Sequence, residues 1–205
     1  MTAISWGKPM VSFEDLGIEP LLVEALKQQG IVEPFEVQRE SIPDAMLGRD
    51  VCCRAPTGSG KTLAFGLPLL AMTEEAEPSR PTSLILTPTR ELAEQIFNVL
   101  DPLAYELQLY VQAMYGGSSY QKQYRALERG IDVLVACPGR LIDMMERGAV
   151  SLDDVGIVVL DEADRMADMG FMEPVCKILD RCKKDRQTIL FSATLDDEVA
   201  DLVRD

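Results

Sequence analysis

Six short stretches of the chain are rich in apolar and β-branched residues, at positions 51–54, 83–87, 109–114, 132–137, 156–161 and 188–192. Several of them are nearly continuous apolar blocks, such as 157–160 and 189–191. A strand with one wet face alternates; an unbroken run suits a strand covered on both faces, as in a parallel sheet. Between these stretches the apolar positions recur at helical spacing, over 61–72, 90–103, 118–128, 140–146 and 171–182. Two more helical segments, 21–29 and 38–47, precede the first strand, with Gly30 where the earlier one should stop. Strand and helix alternating at this interval predict βαβ units. The expected fold is α/β, a mostly parallel open sheet with helices on both faces, forming a single domain over residues 1–205. The polar, proline-containing stretch 74–81 reads as a surface loop, because the alternation resumes after it.

Composition narrows the chemistry. The chain of 205 residues has no histidine. That excludes Ser–His–Asp triads, Cys–His pairs and imidazole metal sites, and leaves carboxylates, lysine, hydroxyls, backbone amides or a metal for any reaction. The five cysteines (52, 53, 137, 176, 182) are odd in number and lack Cys-x-x-Cys spacing. They read as thiols of a reducing compartment, and a cytoplasmic location is expected. No apolar run approaches the ~18 residues of a membrane helix, and Glu14, Asp15 and Glu19 are unlike a secretory leader. A net charge of −14 opposes bulk attraction to a polyanion, so any nucleic acid must be met by a local patch.

The strongest chemical signal is the segment Ala55-Pro56-Thr57-Gly58-Ser59-Gly60-Lys61-Thr62, between the first strand and its helix. This is the setting of a P-loop, with Ala55 where the general pattern has glycine. Gly58 and Gly60 let the backbone approach phosphate oxygens, which successive N–H groups and the helix N-terminus can cradle. Thr57 and Ser59 complete the loop. Lys61 can reach the β- and γ-phosphates, and the Thr62 hydroxyl can ligate Mg²⁺. The second signal, Asp161-Glu162-Ala163-Asp164, follows the apolar strand 156–160. A carboxylate at the C-terminal end of such a strand faces the ligand crevice. Asp161 is thus placed to hold Mg²⁺ through water, and Glu162 to orient or deprotonate an attacking water.

These residues spell D-E-A-D, and from Phe13 to Thr194 the chain resembles the DEAD-box RNA helicases of superfamily 2, with the family's motifs in order. The resemblance implies a RecA-like P-loop NTPase fold that binds ATP or ADP with Mg²⁺. It implies that Gln38 bonds the adenine edge and that Phe13 stacks on the ring; Phe35 stands where the family has threonine. Pro88, Thr89 and Arg90, the pair Gly116 and Gly117, and Pro138, Gly139 and Arg140 match loops that grip the RNA sugar–phosphate backbone, with Cys137 where threonine is usual. Ser192-Ala193-Thr194 matches the motif that couples nucleotide and RNA, and its hydroxyls can reach Asp164. The family's remaining RNA contacts and its arginine fingers lie on a second RecA-like domain. The chain ends at Asp205 without encoding one, so it is expected to be an N-terminal fragment, weakly active alone. Two other readings compete. A P-loop kinase or GTPase would leave Gln38 and Phe13 unexplained, and no Asn-Lys-x-Asp guanine reader is present. A catalytically dead protein-binding scaffold would not need Lys61, Thr62, Asp161 and Glu162 intact.

Overall fold

The computed structural model describes residues 11–56, 58–195 and Val199. Its centre is a six-stranded sheet, β1 Val51–Arg54, β2 Ser83–Leu86, β3 Val111–Met114, β4 Val133–Ala136, β5 Ile157–Asp161 and β6 Gln187–Ser192. The spatial order is β1-β6-β5-β2-β4-β3, and every pairing is parallel. This is the α/β sheet expected from the pattern of apolar runs. β2, β4 and β5 are buried along their whole length, as unbroken apolar blocks require.

Eight helices are described: α1 Pro20–Gln28, α2 Glu36–Met46, α3 Lys61–Met72, α4 Arg90–Glu106, α5 Tyr120–Arg129, α6 Pro138–Glu146, α7 Ala163–Asp168 and α8 Met172–Leu179. The apolar core lies in two layers. One joins α1, α2, α3 and α4 to Ile85, Val133, Val135, Val159, Ile189 and Phe191; the other joins α6, α7 and α8 to Leu84, Leu134, Val158, Leu160 and Leu190. Alternate residues of one strand thus face opposite layers, and helices cover both faces of the sheet. Phe65 of α3 packs on Phe191 of β6, with ring centres 5.6 Å apart in an edge-on arrangement.

Three boundaries differ from the sequence expectation in ways that matter. β6 begins at Gln187, a polar residue only 7 % exposed. Its Nε2 donates to the carbonyls of Ala45 and Arg49 at 2.9 and 2.6 Å, which satisfies the buried amide nitrogen. α6 begins at Pro138, so Pro138 and Gly139 occupy the first turn of a helix. Proline suits that position, because its missing N–H is one the helix would leave unpaired. Finally, α7 was not expected from the pattern at all; it follows the acidic cluster directly.

Candidate nucleotide site and phosphate-facing loops

A parallel sheet delivers all its strand C-termini to one edge, and the strand order sorts the motifs along it. β1, β6 and β5 are neighbours, so the Gly58–Thr62 loop, Ser192-Ala193-Thr194 and Asp161–Asp164 lie side by side. β2, β4 and β3 make the other half, which carries Pro88–Arg90, Pro138–Arg140 and Gly116–Gly117. None of this grouping follows chain order.

In the first half, Gly60 takes φ 87° and ψ 18° and caps α3. A Cβ there would lie 2.5 Å from Phe35 Cδ2 and 2.8 Å from Gln38 Nε2, so only glycine fits. The Lys61 side chain crosses the sheet edge to Asp161 Oδ1 at 3.0 Å and Glu162 Oε1 at 3.4 Å. All three residues are buried, at 7, 2 and 8 % exposure. Asp161 thus lies buried against the lysine. Burial pushes its carboxyl above the ordinary range, and the Lys61 ammonium works against that shift. Glu162 adopts a left-handed backbone, φ 54° and ψ 52°. For a residue with a Cβ this costs on the order of 1–3 kcal/mol; here it turns the chain from β5 into α7. Glu162 Oε2 also accepts from Arg165 Nη1 at 3.3 Å, a partner at i+3 that its spacing could have revealed.

The hydroxyl oxygen of Ser59 is buried and, among the described residues, has no hydrogen-bond partner. An orphaned donor in a glycine-rich turn is what a phosphate oxygen would satisfy. Thr57, also assigned to this loop, lies outside the described residues. Among the described residues no cluster of three or more acidic or thiol side chains could cage a metal. Mg²⁺ needs no such cluster, because it keeps several waters and takes substrate phosphates plus one or two protein oxygens.

Ahead of the loop, Gln38 is 2 % exposed and fixed at both ends of its amide. Oε1 accepts from the Phe35 backbone N–H, and Nε2 donates to the Gly60 carbonyl, each at 2.9 Å. Phe13, expected to stack on a base, is instead a core residue at 1 % exposure, packed with the apolar residues of α1. The sequence offered no way to separate a stacking ring from a packing one.

The hydroxyls of Ser192 and Thr194 both reach Asp164. The Asp164 N–H donates to Ser192 Oγ at 3.1 Å, and Thr194 reaches Asp164 Oδ2 through its N–H at 3.2 Å and its hydroxyl at 3.4 Å. Burial raises the Asp164 pKa, but N–H donors from Arg165, Thr194 and Ala193 and the bond with Ser192 outweigh it, so the net shift is downward. Arg54, which carried no signal, donates from Nε to the Ala193 carbonyl at 3.1 Å and ties the end of β1 to the same turn.

The second half holds its cations differently. Thr89 caps α4, its hydroxyl accepting from Leu92 N–H at 3.3 Å while its own proton stays available. Arg90 is exposed, pairs with Glu94 and lies 5.1 Å from the centre of the Tyr115 ring. Arg140 donates to Gln123 Oε1 at 2.7 Å and to the Ser118 carbonyl at 3.3 Å, and sits 4.1 Å from the Tyr120 ring centre. Arg140 thus ties the start of α6 to the turn after Gly116 and Gly117. Those glycines and Gly139 are exposed, whereas Pro88 and Pro138 are buried and shape the turns. A cleft of about 840 Å³ runs from Lys61, Glu162 and Asp164 to Thr89 and Glu91, joining the two halves.

This arrangement defines a P-loop nucleotide-binding domain of the RecA-like class. The pattern described as "DEAD/DEAH box helicase" matches residues 35–202, and the chain belongs to that family. It is 42 % identical over 193 residues to the RNA helicase CrhR of Synechocystis sp., covering 94 % of this chain and 39 % of that protein. It is 44 % identical over 198 residues to the ATP-dependent RNA helicase DBP2 of Encephalitozoon cuniculi, covering 95 % and 40 %. Among solved structures, Prp28 from Chaetomium thermophilum bound to ADP superposes with a TM-score of 0.88 at 40 % identity, over 98 % of this chain and 50 % of that one. A hypothetical ATP-dependent RNA helicase from Sulfolobus tokodaii gives 0.84 at 36 % identity, over 91 % and 54 %. The chain thus spans about 40 % of the length of these curated relatives.

Proposed function

We propose that this domain binds ATP or ADP with Mg²⁺ and serves as the nucleotide-binding half of an RNA-dependent ATPase and helicase. The observation that carries the reading is the Gln38–Gly60 hydrogen bond. It sets an amide able to read a base edge directly beside the phosphate loop. The same network decides which base is read. A flipped amide would set N–H against the Phe35 N–H and oxygen against the Gly60 oxygen. The remaining amide proton and lone pair are thus fixed in orientation, and suit a base that offers an acceptor and an amino donor side by side. Adenine does so through its N7 and N6.

On this reading the phosphates displace the internal pairing of Lys61, whose ammonium then meets phosphate oxygens together with the Ser59 hydroxyl and the loop N–H groups. Thr62 and Asp161 would hold Mg²⁺, which when bound neutralises charge on the β- and γ-phosphates. Glu162, held by Arg165 and its own backbone, orients the attacking water. Asp164, bonded to Ser192 and Thr194, passes the state of the nucleotide site to the neighbouring turns. Thr89, Arg90, Arg140 and the exposed glycines meet the RNA backbone, whose phosphates need donors but no base-specific readers.

Phosphoryl transfer spreads negative charge over the γ-phosphate oxygens, and an arginine finger is worth about 10³–10⁵ in rate in related enzymes. On this reading those arginines are supplied by a second RecA-like domain. ATP turnover measured with and without RNA, for this chain and for the same chain joined to such a domain, tests the account. The expected result is near-background turnover by the chain alone and RNA-stimulated turnover by the joined protein. Strong RNA-stimulated turnover by the chain alone would contradict it.

A further inference from the structure

One residue the family likeness does not explain is Phe35. It stands at the N-cap of α2, where a Ser, Thr, Asp or Asn oxygen would normally accept from the first turn. A phenyl ring supplies no such oxygen. Nor is it there for burial, since it is 59 % exposed. Neither local helix stability nor core packing accounts for a large aromatic side chain at this position.

Its surroundings do. The ring lies against the Gly60 backbone, so close that a Cβ on Gly60 would meet Phe35 Cδ2 at 2.5 Å and Cε2 at 3.2 Å. Its own N–H anchors the Gln38 amide at 2.9 Å. The ring therefore borders both the phosphate loop and the base-reading amide, with much of its surface open. Phe13, the other aromatic candidate, is closed within the core at 1 % exposure.

We propose that Phe35 is the base-contacting ring of this site: adenine lies against its exposed face while Gln38 reads the base edge. This rests on the adenine-nucleotide reading above and adds to it a base-binding residue that contributes affinity. Stacking is favourable for any base because each has a π-face, whereas Gln38 discriminates between bases. Phe35 thus contributes affinity for the base as a class, and none for the phosphates.

The test compares two ligands on this chain by calorimetry with Mg²⁺ present, ADP and inorganic tripolyphosphate, which has no base. The variants are Phe35→Leu, which keeps apolar bulk over Gly60, Phe35→Thr, and Phe35→Tyr, which keeps the ring. Melting temperatures confirm that each variant is folded. The expected result is a loss of about tenfold in ADP affinity for Leu and Thr, with Tyr close to the parent and tripolyphosphate affinity equal in all four proteins. A parallel loss for both ligands would overturn the proposal, because the ring would then be a prop for the phosphate loop. Unchanged ADP affinity in the Leu and Thr variants would overturn it as well. The underlying reading fails separately and visibly: an unsubstituted chain that binds ADP no better than tripolyphosphate has no base site.

Discussion

The two halves of the sheet edge use charge in opposite ways. Along β1, β6 and β5 the central charged groups are buried and paired with each other: Lys61 lies between Asp161 and Glu162, all below 10 % exposure. Along β2, β4 and β3 the cations are at the surface or half-buried, and are steadied by aromatic rings, Arg90 by Tyr115 and Arg140 by Tyr120. Buried pairs are hardly screened by salt, whereas exposed ones lose most of their reach within about 8–10 Å at physiological ionic strength. The first half is suited to a small anion that replaces an internal partner at one fixed place. The second suits a long polyanion met by shape, with charge as a modest and salt-dependent addition. This also reconciles a net charge of −14 with the proposed RNA-facing surface: the cations need be favourable only locally.

The largest expected effect comes from removing the shared partner in the buried half. Lys61→Ala leaves Asp161 without its cation and Glu162 with Arg165 alone. Breaking a buried pair this way costs about 3–5 kcal/mol, so chemical denaturation should show a loss of that order, together with loss of ADP binding. A loss under about 1 kcal/mol would mean that the lysine is effectively solvated and that the contrast between the halves is false.

A smaller effect is expected in the other half. Tyr120→Leu removes the ring beside both Arg140 and Arg147, at 4.1 and 4.8 Å. Cation–π contacts at such exposed sites are worth about 0.5–1 kcal/mol each. The domain should lose roughly 1 kcal/mol of stability and its RNA affinity should fall, while ADP affinity stays unchanged. A fall in ADP affinity would show that the halves do not act separately.

The smallest effect is chemical. Burial pushes the Cys137 thiol, just before α6, up to about 11, and Cys182 up to about 12. Thiols with folded values raised this far stay protonated near neutrality, so their burial costs nothing below the ordinary thiol range and destabilises only as pH rises above it. At pH 8 iodoacetamide should modify exposed Cys52 well before Cys137 and Cys182, as peptide mass mapping over time can follow. Rapid modification of Cys137 would place the start of α6 in open solvent.

What the sequence disclosed and what it withheld have physical reasons. Unbroken apolar runs marked the buried strands and the glycine spacing marked the phosphate loop, because both are local demands on residue type. Strand order is not local, so the sorting of motifs into two halves emerged only with the sheet. α7 was hidden because acidic residues after a strand fit a loop or a helix N-terminus equally well. Pro138 and Gly139 read as a turn, although proline also opens helices. Burial was the least legible: an aspartate paired to a lysine, as Asp161 is, looks in sequence like any solvent-facing carboxylate, and Phe13 looks like any ring.

The central claim is that the half around Lys61 is an adenine-nucleotide site whose base is read by an orientation-fixed Gln38. Calorimetric titration of the chain with ADP and with GDP, for the parent and for Gln38→Ala, tests it most directly. Losing a paired polar contact in a buried site costs about 1–3 kcal/mol. The parent should therefore bind ADP roughly ten- to a hundredfold more tightly than GDP, and Gln38→Ala should close that gap. Equal affinity of the parent for ADP and GDP would contradict the account.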